Sequence, residues 1–195
     1  MLKHLFLILL LIGAWFLWDQ RSIKHGPGVL AETHPKIENI RSPTPIETEN
    51  FTLNPLQQIE GELRVISRKR YWFDELSGIA PYGYIFSWEG MSDEENLRRI
   101  SPKQDNRSYT LHVSTPPLSI QNMHDKVVLA QAIPANEQIL EIMKNIRVGH
   151  VVRFTGIITD LEKKDGVVQY HSNIEGRNAK MQGVKFIWIE ELSIL

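Results

Sequence analysis

Cysteine is absent from this 195-residue chain. That excludes disulfides, thiol nucleophiles, thiolate zinc sites, cysteine-ligated iron–sulfur clusters and the lipidated cysteine of a lipoprotein. It does not choose a compartment, because an oxidising one permits disulfides without requiring them. A surplus of either charge is also missing: Lys plus Arg number 22 against 23 for Asp plus Glu. Bulk charge therefore cannot hold this protein on a nucleic acid, although a local patch stays open. Catalytic signatures are lacking too. Gly-x-Ser-x-Gly, His-Glu-x-x-His, a phosphate loop ending in Lys-Ser or Lys-Thr, and a dinucleotide fingerprint do not occur. The sequence thus leaves enzyme activity undecided, favours a non-catalytic protein, and names no metal ligands or cofactor.

What is present suffices to fold. About 42% of residues are apolar and 9% aromatic, which argues against general disorder. Near the start, Leu5 to Trp18 is an unbroken apolar run bounded by Lys3 and by Asp19, Gln20 and Arg21. As a helix it would reach roughly 21 Å, and the snorkelling of Lys3 extends that towards a spanning length. Trp15 and Trp18 suit the far interface. A cleaved signal peptide is the competing reading, but no small-x-small site follows at once. The expectation is a signal anchor or transmembrane helix over residues 1–20. It implies the lipid bilayer as a partner through residues 5–18. It also implies a bacterial inner-membrane, single-pass placement, with the N-terminus cytoplasmic and the body periplasmic or otherwise extracytoplasmic.

Residues 21–50 contain Gly26-Pro27-Gly28, Pro35, Pro43 and Pro45 without a long apolar period. They are expected to form a flexible, Pro-containing linker. From Phe51 to Leu195 the pattern is that of a β-rich domain. Tyr82, Tyr84, Phe86 and Trp88 share one face of a strand. Ser92 and Glu95 fit a capping box for a short helix reaching Ile100. Ile139, Ile142, Met143 and Ile146 make the apolar stripe of the principal helix, with Asn136 as a candidate cap. Gly156 suggests a bulge or sharp bend within a strand. Lys163-Lys164-Asp165-Gly166 marks a hairpin, and 172–183 reads as a polar loop. The expected fold is mainly β or α+β. It is a small antiparallel OB-like barrel with one principal inserted helix, preceded by a single N-terminal transmembrane helix. A non-barrel α+β sandwich is the alternative.

Ile133-Pro134-Ala135-Asn136, with Asn122-Met123-His124 before it and Arg147 to Gly156 after it, resembles an uncharacterised group of bacterial membrane-anchored or exported proteins. The likeness covers roughly residues 60–192. That group often places an Asn-His pair beside the Ile-Pro-Ala-Asn run, whereas here His124 lies well upstream. The resemblance implies an anchor-plus-domain architecture and no activity.

Two sets of residues invite a binding role. Arg64, Arg68, Lys69 and Arg70 form a basic run, followed by Tyr71 and Trp72 and then Phe73. Cations beside aromatic platforms can hold single strands, anionic headgroups or an acidic partner. The competing reading is aromatic core beside a solvated edge that discourages strand pairing. His124-Asp125 is the second candidate, as a ligand or base with its orienter. The acidic run Glu89, Asp93, Glu94 and Glu95 supplies carboxylates for glycosidase-like chemistry but no geometry. The functional expectation is a non-catalytic, membrane-tethered binding or assembly module of the bacterial envelope, with a protein partner there. A single-stranded nucleic-acid-binding barrel in a DNA-transfer apparatus and an envelope hydrolase are the alternatives.

Overall fold

The computed structural model describes residues 21–166, 169–172 and 183–195, together with Phe6, Leu10 and Gly13. The rest of the run from Leu5 to Trp18, and the polar stretch 173–182, lie outside the described residues.

The spine is a 20-residue strand, β3 (Phe51–Arg70), following two short strands, β1 (Lys36–Asn39) and β2 (Ile46–Glu47). Alternation in the first half of β3 buries Phe51, Leu53 and Ile59 and turns Thr52, Asn54 and Leu56 less inward. Pro55, which cannot donate a ladder hydrogen bond, sits where the register slips between Pro55 and Gln57. The first part of β3 pairs antiparallel with β8 (Val151–Lys163), and its last part pairs with β4 (Tyr82–Ser87). β4 pairs antiparallel with β7 (Val127–Pro134). β7 runs parallel to β10 (Val184–Ile194), and β10 pairs antiparallel with β8. The hydrogen-bonded path therefore leaves β3 through β4 and comes back to it through β8. β1 and β2 each pair antiparallel with β3, and β9 (Gln169–Tyr170) pairs antiparallel with the end of β8. β5 (Ile100–Asp105) and β6 (Ser108–Val113) form a separate hairpin.

Gly156 on β8 fulfils the expectation of a local irregularity by a different route. A Cβ there would lie 2.4 Å from the Trp188 carbonyl oxygen, so the close approach of β8 and β10 requires glycine. The register slips on the opposite strand, between Ile189 and Glu191.

Tyr82, Tyr84, Phe86 and Trp88 are core, each no more than 1% exposed. Tyr84 stacks between Tyr82 and Phe86, and Phe86 continues onto Phe154. The Tyr84 hydroxyl donates to the Met143 carbonyl at 2.8 Å, tying the sheet to the helix α3 (Glu137–Asn145). Burial pushes the Tyr84 pKa well up, so the hydroxyl keeps its proton. The Asn136 side chain caps α3 by accepting from Ile139 N–H. The helical stripe packs inward through Ile139, Met143 and Ile146, each worth about 1.5–3 kcal/mol of apolar burial.

Several expectations are corrected. The small antiparallel OB-like barrel gives way to a mixed sheet, because β7 and β10 run parallel. The membrane readings are corrected with it. Among the described residues no helix is long and apolar enough to cross a membrane. At nine residues α3 rises only about 14 Å, against roughly 30 Å of hydrocarbon. The single-pass inner-membrane placement, the bilayer as partner through residues 5–18, and the tethered envelope module all required a spanning helix. None is carried further.

The stretch 21–50, expected as a flexible linker, lies along the body. β1 and β2 pair with β3, and Ala31 is 1% exposed, with its carbonyl accepting from Glu89 N–H. The short helix also differs. Asp93, not Ser92, caps α1 (Glu94–Leu97) by accepting from Glu95 N–H. Ser92 is buried, and its hydroxyl accepts from Leu30 and Ala31 N–H instead.

Candidate functional site

A cavity of about 520 Å³ opens where five segments meet. Residues 22–24 form one wall as a strap. Arg64, Val65 and Ile66 of β3 form another, with α1, the start of β5 and Val148 closing the rest. The apolar lining is supplied chiefly by Ile23, Ile66, Leu97 and Ile100, and the charged groups are Lys24, Arg64, Glu94 and Arg98.

Arg64 is the buried member of this set, at 3% exposure. Its position follows from the β3 register, where Arg64 stands opposite both Ser87 and Val151 at the crossing from one partner strand to the other. One guanidinium nitrogen donates to the Ser92 carbonyl at 2.9 Å, and another is ion-paired with the Glu94 carboxylate. Arg64 Nε is buried without a hydrogen-bond partner among the described residues. Burial of Glu94 raises its pKa. The hydrogen bond and charge of Arg64 outweigh that, helped by the His25 N–H and by Arg98, and leave the carboxyl below its usual range.

The strap is held by backbone and side chains together. Ile23 N–H donates to the Val148 carbonyl at 2.8 Å, and His25 Nε2–H donates to the Gly149 carbonyl at 2.9 Å. Gly28 N–H donates to Asp93 Oδ1 at 3.1 Å. Gly149 has φ of 100°, and a Cβ there would lie 2.0 Å from the Ile23 carbonyl oxygen. Only glycine admits the strap this closely. His150 Nδ1 accepts from Arg147 N–H at 3.0 Å, which fixes that nitrogen as unprotonated. Burial lowers the His150 pKa, and the charges of Arg147 and His25 lower it further.

The residues singled out from the sequence fall into three places. Arg64 lies at the cavity. Arg68, Lys69, Arg70, Tyr71 and Trp72 lie at the far end of β3 and the start of the 71–81 loop. Tyr71 is buried there, with the Arg107 guanidinium 4.0 Å from its ring centre. Lys69 donates to the Gln104 carbonyl at 3.2 Å, and Arg68 donates to the Lys144 carbonyl at 3.0 Å. Arg70 stacks on Trp72, which is 60% exposed. His124 and Asp125 lie at the end of the helix α2 (Ile120–His124) and are not among the residues lining the cavity. His124 is exposed, and Asp125 accepts from Gln121 Nε2 at 2.8 Å. No cluster of three or more metal-binding side chains occurs among the described residues. The acidic run is dispersed: Glu89 pairs with Lys126, Asp93 caps α1, Glu94 pairs with Arg64 and Glu95 with Arg99.

Lys24, Leu97 and Arg98 were not legible as site residues. Each sits in a polar stretch without periodicity, and the groups they face come from β3, β5 and the strap. The near-continuous charge of 93–99 was the one available signal, and it reads equally well as a solvated face. Compared with protein-family models, with curated proteins and with solved structures, the chain has no significant match.

Proposed function

We propose that this domain binds a small amphiphilic molecule with an anionic head, and that the cavity between the strap, β3 and α1 is its site. The observation that carries the reading is a cavity of about 520 Å³ whose lining combines apolar side chains with a buried, ion-paired arginine and two exposed cations. That volume falls within the range of small-molecule sites, which are typically apolar with a few fixed polar groups.

The charge arrangement selects the ligand's sign. Lys24, Arg64 and Arg98 face a single carboxylate, Glu94, and Arg64 already neutralises it. Lys24 and Arg98 are exposed at the rim and form no salt bridge among the described residues. A carboxylate or phosphate ester head fits between them. An alkyl or aryl body then covers Ile66, Leu97 and Ile100, gaining about 25 cal/mol for each Å² withdrawn from water. An ammonium head would meet two cations, so the site discriminates by repulsion as well as attraction.

Titration calorimetry with decanoate, decylamine and decanol tests this directly. Decanoate is expected to bind, with decanol weaker and decylamine weakest. Leu97→Trp, which fills the cavity from half-buried α1, should abolish binding, and Arg98→Glu should weaken it by at least about tenfold. Equal binding of decylamine, or undiminished binding to Leu97→Trp, would refute the proposal.

A further inference from the structure

A second surface lies at the C-terminal end of β3, beyond the residues that line the cavity. Phe73 is fully exposed at 100% and Trp72 is 60% exposed, consecutive in sequence at the start of the 71–81 loop. The Arg70 guanidinium lies 3.5 Å from the Trp72 ring centre and 5.6 Å from that of Tyr82. Arg68 stands 4.9 Å from the Tyr82 ring and is pinned by its bond to the Lys144 carbonyl.

The loop that presents this pair is not loose. Arg107 donates to both carboxylate oxygens of Asp74, at 2.6 and 3.1 Å, and to the Ala80 carbonyl at 3.1 Å. It also covers the buried Tyr71 ring immediately before Trp72. Arg107 reaches these groups from the β5–β6 hairpin, whose two turn residues, Asn106 and Arg107, both have positive φ. A left-handed backbone is costly for a non-glycine residue, and here it aims a guanidinium at the base of the exposed aromatic pair. An apolar pair held in solvent on a clamped loop points to a partner that covers it.

Charge chooses the partner. The neighbouring carboxylates are engaged: Asp74 with Arg107, Glu75 with Lys163, and Asp105 with Lys69. Arg70 is exposed, stacked, and in no salt bridge among the described residues. A guanidinium fixed in this way offers its edge to a carboxylate in bidentate geometry. A nucleic-acid strand would need a track of cations following its phosphates. Here Lys69, Arg107 and Lys163 are matched by carboxylates of the chain itself, and Arg68 is held between the Tyr82 ring and the Lys144 carbonyl, which leaves no such track. We propose that Arg70, Trp72 and Phe73 form a docking surface for a short acidic peptide segment of another protein, with an apolar residue of that segment covering Trp72 and Phe73.

The test is fluorescence anisotropy with the full chain and a labelled peptide of alternating glutamate and leucine. A lysine–leucine peptide and a single-stranded oligothymidylate serve as comparisons. The acidic peptide is expected to bind, with affinity falling in high salt and by at least about tenfold in both Arg70→Glu and the Trp72→Ala, Phe73→Ala double variant. All three side chains are exposed, so circular dichroism of the variants should match the parent. Equal binding of the two peptides, tighter binding of the oligonucleotide, or an acidic-peptide affinity untouched by Arg70→Glu would each overturn the proposal. Loss of the cavity ligand in Leu97→Trp should leave this binding unchanged.

Discussion

Arg64 and Glu94, thirty residues apart in the chain, form a nearly buried ion pair in the wall of the cavity, with side chains 4% and 13% exposed. Each neutralises a charge that the apolar surroundings would otherwise penalise. The pair joins the middle of β3 to α1, and so sets the width of the cavity between them.

Removing one partner should therefore cost more than removing both. Glu94→Gln leaves the Arg64 charge buried and unpaired, and is expected to lower stability by about 3 kcal/mol. The Arg64→Met, Glu94→Leu double variant should recover much of that loss. Urea denaturation of the four species of the cycle measures the difference. Equal stabilities of Glu94→Gln and the parent would contradict the burial argument.

Gly149→Ala should release the strap. The added methyl would collide with the Ile23 carbonyl, and a φ of 100° is unfavourable for alanine. The expected cost is about 1–3 kcal/mol. Hydrogen exchange at Ile23 and His25 should accelerate while exchange in β3 and β8 is unchanged. Unaltered protection at Ile23 would show that the strap is held by other contacts.

Acid should loosen the same junction. The His150 pKa lies below its ordinary 6.5, so between the two values the unfolded chain binds more protons than the folded one. This contribution is complete above about pH 6.5 and is lost as pH falls through the folded value. Glu94, also lowered, adds a second loss in the more acidic carboxylate range. Urea midpoints should thus decline from neutral pH downward. His150→Gln should flatten the upper part of that decline, and an identical slope in the variant would assign it elsewhere.

Asn136→Ala tests the cap of α3. Loss of the acceptor for Ile139 N–H should cost about 1 kcal/mol, and Asn136→Ser should restore most of it. Thermal denaturation of both variants checks this.

The elements whose patterns lie within one segment could be read from the sequence. The Tyr82–Trp88 stripe, the α3 stripe with its Asn136 cap, and the turn at Gly166 each depend on neighbours a few residues away. The first half of β3 was obscured by Pro55, which argues against a strand until a register slip accommodates it. The parallel pairing of β7 with β10 is a long-range choice that neither strand announces. Ser92 looked like a cap because Glu95 follows at capping-box spacing. The close approach of residues 30 and 31 claimed its hydroxyl, and Asp93 took the cap. The cavity was hidden for the same reason: its cations and its apolar lining come from segments distant in sequence. Of the basic run, only the Arg70–Trp72 contact keeps the exposed character that the composition suggested.

The cavity's occupant is the claim on which the functional account rests. A crystal of the protein soaked with a terminally brominated decanoate would locate it. The account predicts an anomalous bromine peak among Ile66, Leu97 and Ile100, with the carboxylate within hydrogen-bonding reach of Lys24 or Arg98. An empty cavity at saturating ligand, or a carboxylate directed away from both cations, would contradict it.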